Sequence, residues 1–136
     1  MLTEKDYCDY DTCVALKELG YVGSSRYYYT QRDRMFHCDA YNMLYTVRIA
    51  DAMGYVLAVH LYDAQKWLRE KGIFVHISHP LRVENDVFWN YEVLDEAWDD
   101  GKQNPCVCAS GGLFDSYEDA LQKGIEMAVR ILKEGK

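Results

Sequence analysis

Apolar side chains recur at helical spacing in three stretches of this chain and at strand spacing in two. The longest stripe is Tyr117, Ala120, Leu121, Gly124, Ile125, Ala128, Ile131 and Leu132, which covers one face of a helix. Ser116 stands where an N-cap accepts a hydrogen bond from a free amide of the first turn, and Asp119 follows at N3. Glu118 and Asp119 suit the positive end of the helix dipole, Lys133 suits the negative end, and Gly135 closes the helix. A second helix is predicted over residues 61–71, with Leu61, Ala64, Trp67 and Leu68 on one face and Gly72 as its stop. A first helix starts behind the cap Asp9. It carries Tyr10, Cys13, Leu16 and Leu19 at spacings of three and ends at Gly20, which tolerates positive φ.

Between the helices the period changes. Ile73, Val75 and Ile77 alternate with Phe74, His76 and Ser78, the pattern of a half-buried strand that Pro80 ends. After a turn at Asn85-Asp86, Val87, Trp89, Tyr91 and Val93 alternate again, so the two strands are expected to pair as an antiparallel hairpin with a long loop. Tyr27, Tyr28, Tyr29 and Thr30 are strong strand formers, with alternate rings expected in the core, and residues 31–34 read as a turn. Residues 35–58 are the least legible: 43–49 fits either a strand or a short helix. Residues 95–100 read as an acidic loop, followed by a Gly-containing stretch to Gly112. The predicted fold is one α+β domain over 1–136. It has a small antiparallel sheet of three to four strands, with about three helices packed mainly on one face. Its core should draw on Trp67, Leu68, Ile73, Val75, Ile77, Trp89, Tyr91, Ile125 and Leu132.

Composition narrows the class. The chain has 136 residues, 49% hydrophobic and 27% charged, which suits an ordinary globular domain rather than disorder. A net charge of −7 with scattered cations opposes nucleic-acid binding; the nearest basic cluster, Arg26, Arg32 and Arg34, is interrupted by Asp33. The opening residues show no export signal, and the longest apolar run, 52–59, is far shorter than the about 20 residues a membrane helix needs. A cytoplasmic location is expected, with no membrane partner. There the five cysteines, Cys8, Cys13, Cys38, Cys106 and Cys108, stay mostly as thiols.

Candidate chemistry is sparse. Cys106-x-Cys108 has the close thiols of a soft-metal grip but lacks the second pair of a zinc site, which His37-Cys38 would have to supply. On a strand, the odd spacing of His76 and His79 sends them to opposite faces. Ser110-Gly111-Gly112 is not a nucleophile elbow, and Cys38 beside His37 lacks the signature of a cysteine hydrolase. Gly111-Gly112 lacks a phosphate-loop pattern, and Asp115, Glu118 and Asp119 would repel an anion there. The acidic stretch lacks the spacing of a calcium loop. The sequence therefore calls for no catalytic residue, no metal and no cofactor. The aromatic surplus, with 12 tyrosines, points instead to surfaces that are apolar and polar at once.

Three segments carry a resemblance. Residues 61–72, reading LYDAQKWLREKG, and Phe114 to Leu121 with Gly124 resemble the central helix and the start of the last helix in an uncharacterised group of small proteins from Bacteroides-type gut bacteria and their phages. The end of the first helix, Leu16 to Tyr21, is similar too, and the order of elements is shared. The chain departs from the group at His60, where Pro-Thr usually leads into the helix. The resemblance implies a phage or mobile-element origin and assigns no activity. The first functional expectation is a non-enzymatic accessory or protein-interaction module that self-associates. The alternative is a small-molecule or nucleotide binder with a tyrosine-lined pocket, for which Tyr27, Tyr29, Arg26, Arg48 and Arg82 are the candidate ligand-binding residues.

Overall fold

A computed structural model describes residues 3–39, 41, 43–78, 81–95 and 106–134, with the backbone alone at 81, 83 and 106–108. The chain divides into two compact units, Met1–His60 and Leu61–Lys136. Both are α+β, and the strands pair antiparallel throughout, in three small sheets among the described residues.

In the first unit, Asp9 caps helix α1 (Tyr10–Glu18): its carboxylate accepts the Thr12 amide at 2.8 Å. Gly20, at φ 98°, ends the helix. There the Gly20 amide donates to the Lys17 carbonyl and the Tyr21 amide to the Leu16 carbonyl, the paired bonds of a Schellman stop. Thr12, Cys13 and Leu16 form the buried face of α1. Strands β1 (Ser24–Ser25), β2 (Tyr27–Thr30) and β3 (Phe36–Cys38) follow. The turn between β2 and β3 is held by Asp33, whose carboxylate accepts from the Thr30 hydroxyl and the Met35 amide.

The ambiguous stretch is strand and helix in succession. Strand β4 (Tyr45–Thr46) pairs with β1, and helix α2 (Val47–Ala52) begins at once, because the Thr46 hydroxyl accepts the Ile49 amide at 3.2 Å. Neither piece is long enough for its own period to emerge. Gly54, at φ 80°, turns the chain into β5 (Tyr55–Leu57), which pairs with the edge of β2 opposite β3.

In the second unit, helix α3 (Leu61–Glu70) buries Leu61, Ala64, Trp67 and Leu68, as its spacing predicts, and packs on strand β6 (Ile73–Ile77). Strand β7 (Leu81–Val83) continues along the same edge of β8 (Asp86–Asp95) with its register shifted by one residue. The turn is at Glu84-Asn85, one residue before the expected place, with Glu84 at φ 57°. The predicted pairing of residues 73–77 with the Val87–Val93 strand is present, and part of the expected loop is strand β7.

The Gly-containing stretch expected as a loop is strand β9 (Cys106–Phe114) on the other edge of β8. It was hidden because two register shifts break its alternation. One leaves Gly112 and Leu113 opposite Asn90 and puts Leu113 at φ 66°. Residues 96–100 of the expected acidic loop, Pro80 and Gly135 lie outside the described residues.

Helix α4 (Tyr117–Glu134) lies over β6, β8 and β9 and against α3. Its cap is the one expected: the Asp119 amide donates to the Ser116 hydroxyl at 3.0 Å. Two glycines set the fit around Tyr91. A Cβ on Gly124 would stand 2.6 Å from Val75 Cγ1 and 3.2 Å from Tyr91 Cβ, so α4 approaches the sheet by lacking one. A Cβ on Gly111, paired with Tyr91 across the strands, would stand 2.6 Å from that tyrosine's ring. The ring covers a glycine whose own side chain offers the sheet nothing. Of the expected core, Trp67, Leu68, Ile73, Val75, Tyr91 and Ile125 are buried, while Ile77, Trp89 and Leu132 are half-buried.

Candidate binding surface

The β3-β2-β5 sheet of the first unit carries aromatic rings on both faces, because the side chains of Tyr27, Tyr28 and Tyr29 alternate across it. On one face Tyr27 stacks on Phe36 with centroids 5.5 Å apart and approaches Tyr7 at 4.8 Å. Tyr29 meets Tyr10 and Phe36 edge-on. The Tyr29 hydroxyl donates to the Cys8 carbonyl at 2.7 Å, and burial pushes its ionisation well above the ordinary tyrosine range. On this face Tyr29 is buried, while Tyr27 and Phe36 are half-buried.

The other face is a ladder of rings across three strands. His37 on β3 lies directly opposite Tyr28 on β2 and stacks on it at 5.4 Å; Tyr55 on β5 stacks on Tyr28 at 4.1 Å. Tyr45 stands edge-on to both tyrosines, at 5.2 Å from Tyr28 and 5.8 Å from Tyr55. Tyr28 and Tyr55 are half-buried and His37 is exposed, so part of the ladder faces solvent. Burial and the neighbouring Tyr55 raise the ionisation of Tyr28.

Asp39 anchors one end of the ladder. Its carboxylate accepts the Met43 amide at 2.7 Å, the Tyr41 amide at 2.9 Å and the Tyr45 hydroxyl at 2.7 Å. These donors, the Met43 amide first and the Tyr45 hydroxyl next, hold the Asp39 carboxyl below its usual range. In return the Asp39 hydrogen bond pushes Tyr45 up to about 12.

The signs follow. A depressed Asp39 adds stability above the ordinary carboxylate range, lost as pH falls through its folded value; a raised Tyr45 adds stability below about 10, lost as pH climbs to about 12. Tyr45→Phe should raise the Asp39 carboxyl toward its ordinary value and flatten the alkaline loss. Carboxyl NMR titration and alkaline unfolding curves read both; an unmoved Asp39 would show that the hydroxyl does not hold it.

The segment that carries Tyr45 also exposes large apolar side chains. Tyr41 is 91% exposed, Leu44 59%, Met53 50%, Met43 45% and Ile49 40%. These five side chains come from one short segment, and Met53 lies one helical turn beyond Ile49. Lys17 reaches from α1 to Asp51 on α2 at 2.6 Å and fixes the helix on the unit.

The residues proposed from sequence fall in several places. Tyr27 and Tyr29 share one face of the sheet, Tyr27 half-buried and Tyr29 buried; Arg26 and Arg48 are exposed on the first unit; Arg82 is exposed on β7 of the second unit. His37 and Cys38 are consecutive on β3, with Cys38 exposed. The side chains of Cys106 and Cys108 lie outside what is described, as does His79. Among the described residues, no group of three or more His, Cys, Asp or Glu side chains is gathered to hold a metal. Sequence reasoning missed Tyr28, His37, Tyr45, Tyr55 and Asp39 as a set. The available signal was the middle tyrosine of the run, which must face away from its two neighbours. Compared with family models, curated proteins and solved structures, the chain matches none.

Proposed function

We propose that this chain is a non-enzymatic accessory module of phage or mobile-element origin that acts by protein interaction and self-associates through the apolar surface around β4 and α2. The observation that carries the reading is the group of exposed large apolar side chains, Tyr41, Met43, Leu44, Ile49 and Met53. So many large apolar side chains exposed along one short segment are costly to leave in water and favour a contact site. A second copy suits it as occupant. A two-fold contact would set this face against the same face of the copy and cover both at once. No helix among the described residues is long and apolar enough to cross a membrane.

Native mass spectrometry of the gently purified protein tests the reading. The expected species is twice 15.9 kDa. The double variant Ile49→Glu, Met53→Glu should weaken the dimer by roughly a hundredfold or more, since each buried aliphatic side chain is worth about 1.5 kcal/mol or more and a two-fold contact loses it on both copies. A monomer at all concentrations, or a dimer indifferent to the variant, would refute self-association through this face.

A second reading, a small-molecule or nucleotide binder, is favoured by the half-exposed ladder of His37, Tyr28 and Tyr55, which offers ring faces for stacking. A retained adduct in the same spectrum, lost in Tyr28→Ala, would move this reading ahead.

A further inference from the structure

Cys8 and Cys13 frame the start of α1 in a particular way. With Asp9 as N-cap, Cys8 is the residue before the cap and Cys13 is the fourth residue of the helix. In many helices these two positions hold a pair of apolar side chains that pack on each other and fix how the chain enters the helix. Here both members are thiols. They are 0% and 1% exposed, and the Cys13 thiol donates to the Cys8 carbonyl at 3.4 Å. The Cys13 thiol beside it is the first cause raising the ionisation of Cys8, ahead of burial. Cys8 therefore rests protonated and slow to react.

We propose that Cys8 and Cys13 form a reversible disulfide that locks the start of α1 when the protein meets a low-molecular-weight disulfide. One thiol loses its proton and attacks a sulfur of the oxidant, breaking its S–S bond and releasing one thiol. The second cysteine then attacks the mixed disulfide, forms the Cys8–Cys13 bond and releases the other thiol. Two electrons and two protons pass to the oxidant, and the protein loses two hydrogens.

The surrounding hydrogen bonds tolerate this exchange. Oxidation removes the S–H that Cys13 donates to the Cys8 carbonyl, but that carbonyl keeps the Tyr29 hydroxyl at 2.7 Å. The Val59 amide donates to Cys13 Sγ at 3.4 Å, and a disulfide sulfur still offers it a lone pair. The Cys8 amide keeps its bond to the Val59 carbonyl at 2.8 Å. No polar group named here is stranded, so the cost that usually opposes altering a buried polar pair is largely absent. Access requires the start of α1 to open briefly, which makes closure slow and keeps the bond, once formed, shielded from reductant.

The test is incubation of the folded, fully reduced chain with glutathione disulfide. The reaction is then stopped with acid, free thiols are alkylated under denaturing conditions, and the peptides are mapped by mass spectrometry. Exposed Cys38 serves as the internal clock by taking up glutathione first. The expected result is a peptide linkage between Cys8 and Cys13 lighter by two hydrogens, at least about tenfold more abundant than glutathione on either cysteine, because the second thiol acts intramolecularly. Amide exchange at Thr12 and Cys13 should slow in the oxidised form. Two results overturn the proposal: Cys8 and Cys13 remaining alkylatable long after Cys38 is saturated, or stable glutathione adducts at either without the linkage. Both are read on the unmodified sequence, so a variant that fails to fold does not obscure them.

Discussion

Gly124→Leu is expected to destabilise the second unit by about 3 kcal/mol or more, the upper range for overpacking a filled core. The first added carbon already lies 2.6 Å from Val75 Cγ1, and three more must follow into the seam between α4 and the sheet. Helix propensity opposes the loss: replacing a mid-helix glycine by leucine gains about 1 kcal/mol. That gain cannot offset a displaced helix. Gly124→Ala separates the two effects, since it adds only the clashing carbon and the best helix former; a net loss of about 1 kcal/mol is expected. Val75→Ala removes the nearest obstacle. Combined with Gly124→Ala it should lose about 1 kcal/mol less than the two single changes summed, the coupling expected of residues in direct contact. Urea unfolding with unchanged m-values reads all four proteins. If Gly124→Leu unfolds at the wild-type midpoint, α4 does not press on Val75.

The second unit was legible in sequence because its elements are long and one-sided. The stripe from Tyr117 to Leu132, the cap Ser116 and the alternation of 73–77 each state their period several times over, and the structure uses them as read. Strand β9 escaped for an opposite reason. Gly111 and Gly112 suggest a loop when read alone, and only the facing Tyr91 explains a glycine within a strand. That partner lies far along the chain, so local pattern does not carry the information.

The first unit was legible at α1 and β2 and little beyond. Between them Asp9, Gly20 and the tyrosine run announce themselves through capping, positive φ and β propensity. From 35 to 58 the elements shrink to two, three or six residues, below the length at which a period is recognisable. The aromatic ladder depends on register as well. His37 faces Tyr28, and Tyr55 lies diagonally from it, because β3 and β5 pair with β2 at one alignment out of several. The chemistry of the surface was thus present in the composition, while its arrangement was not.

Leu16→Ala is expected to cost the first unit about 2–5 kcal/mol, the range for emptying a fully buried leucine site. Leu16 is 0% exposed, and its carbonyl takes the Tyr21 amide at the helix stop, where Tyr21 is itself buried. Losing the side chain leaves a void beside α1 that the surrounding backbone bonds resist closing. A unit of about 60 residues has little reserve, since small units bury a smaller fraction of their surface on folding. The first unit should therefore lose much of its amide-exchange protection in the variant. Tyr41→Ala is the matched control. At 91% exposure its removal should leave stability within about 0.5 kcal/mol of the parent. If the proposed interface is real, that same change should still loosen the dimer. Stability and association would then respond to different residues of one unit, Leu16 to the first and Tyr41 to the second, which separates a surface kept for contact from a core kept for folding.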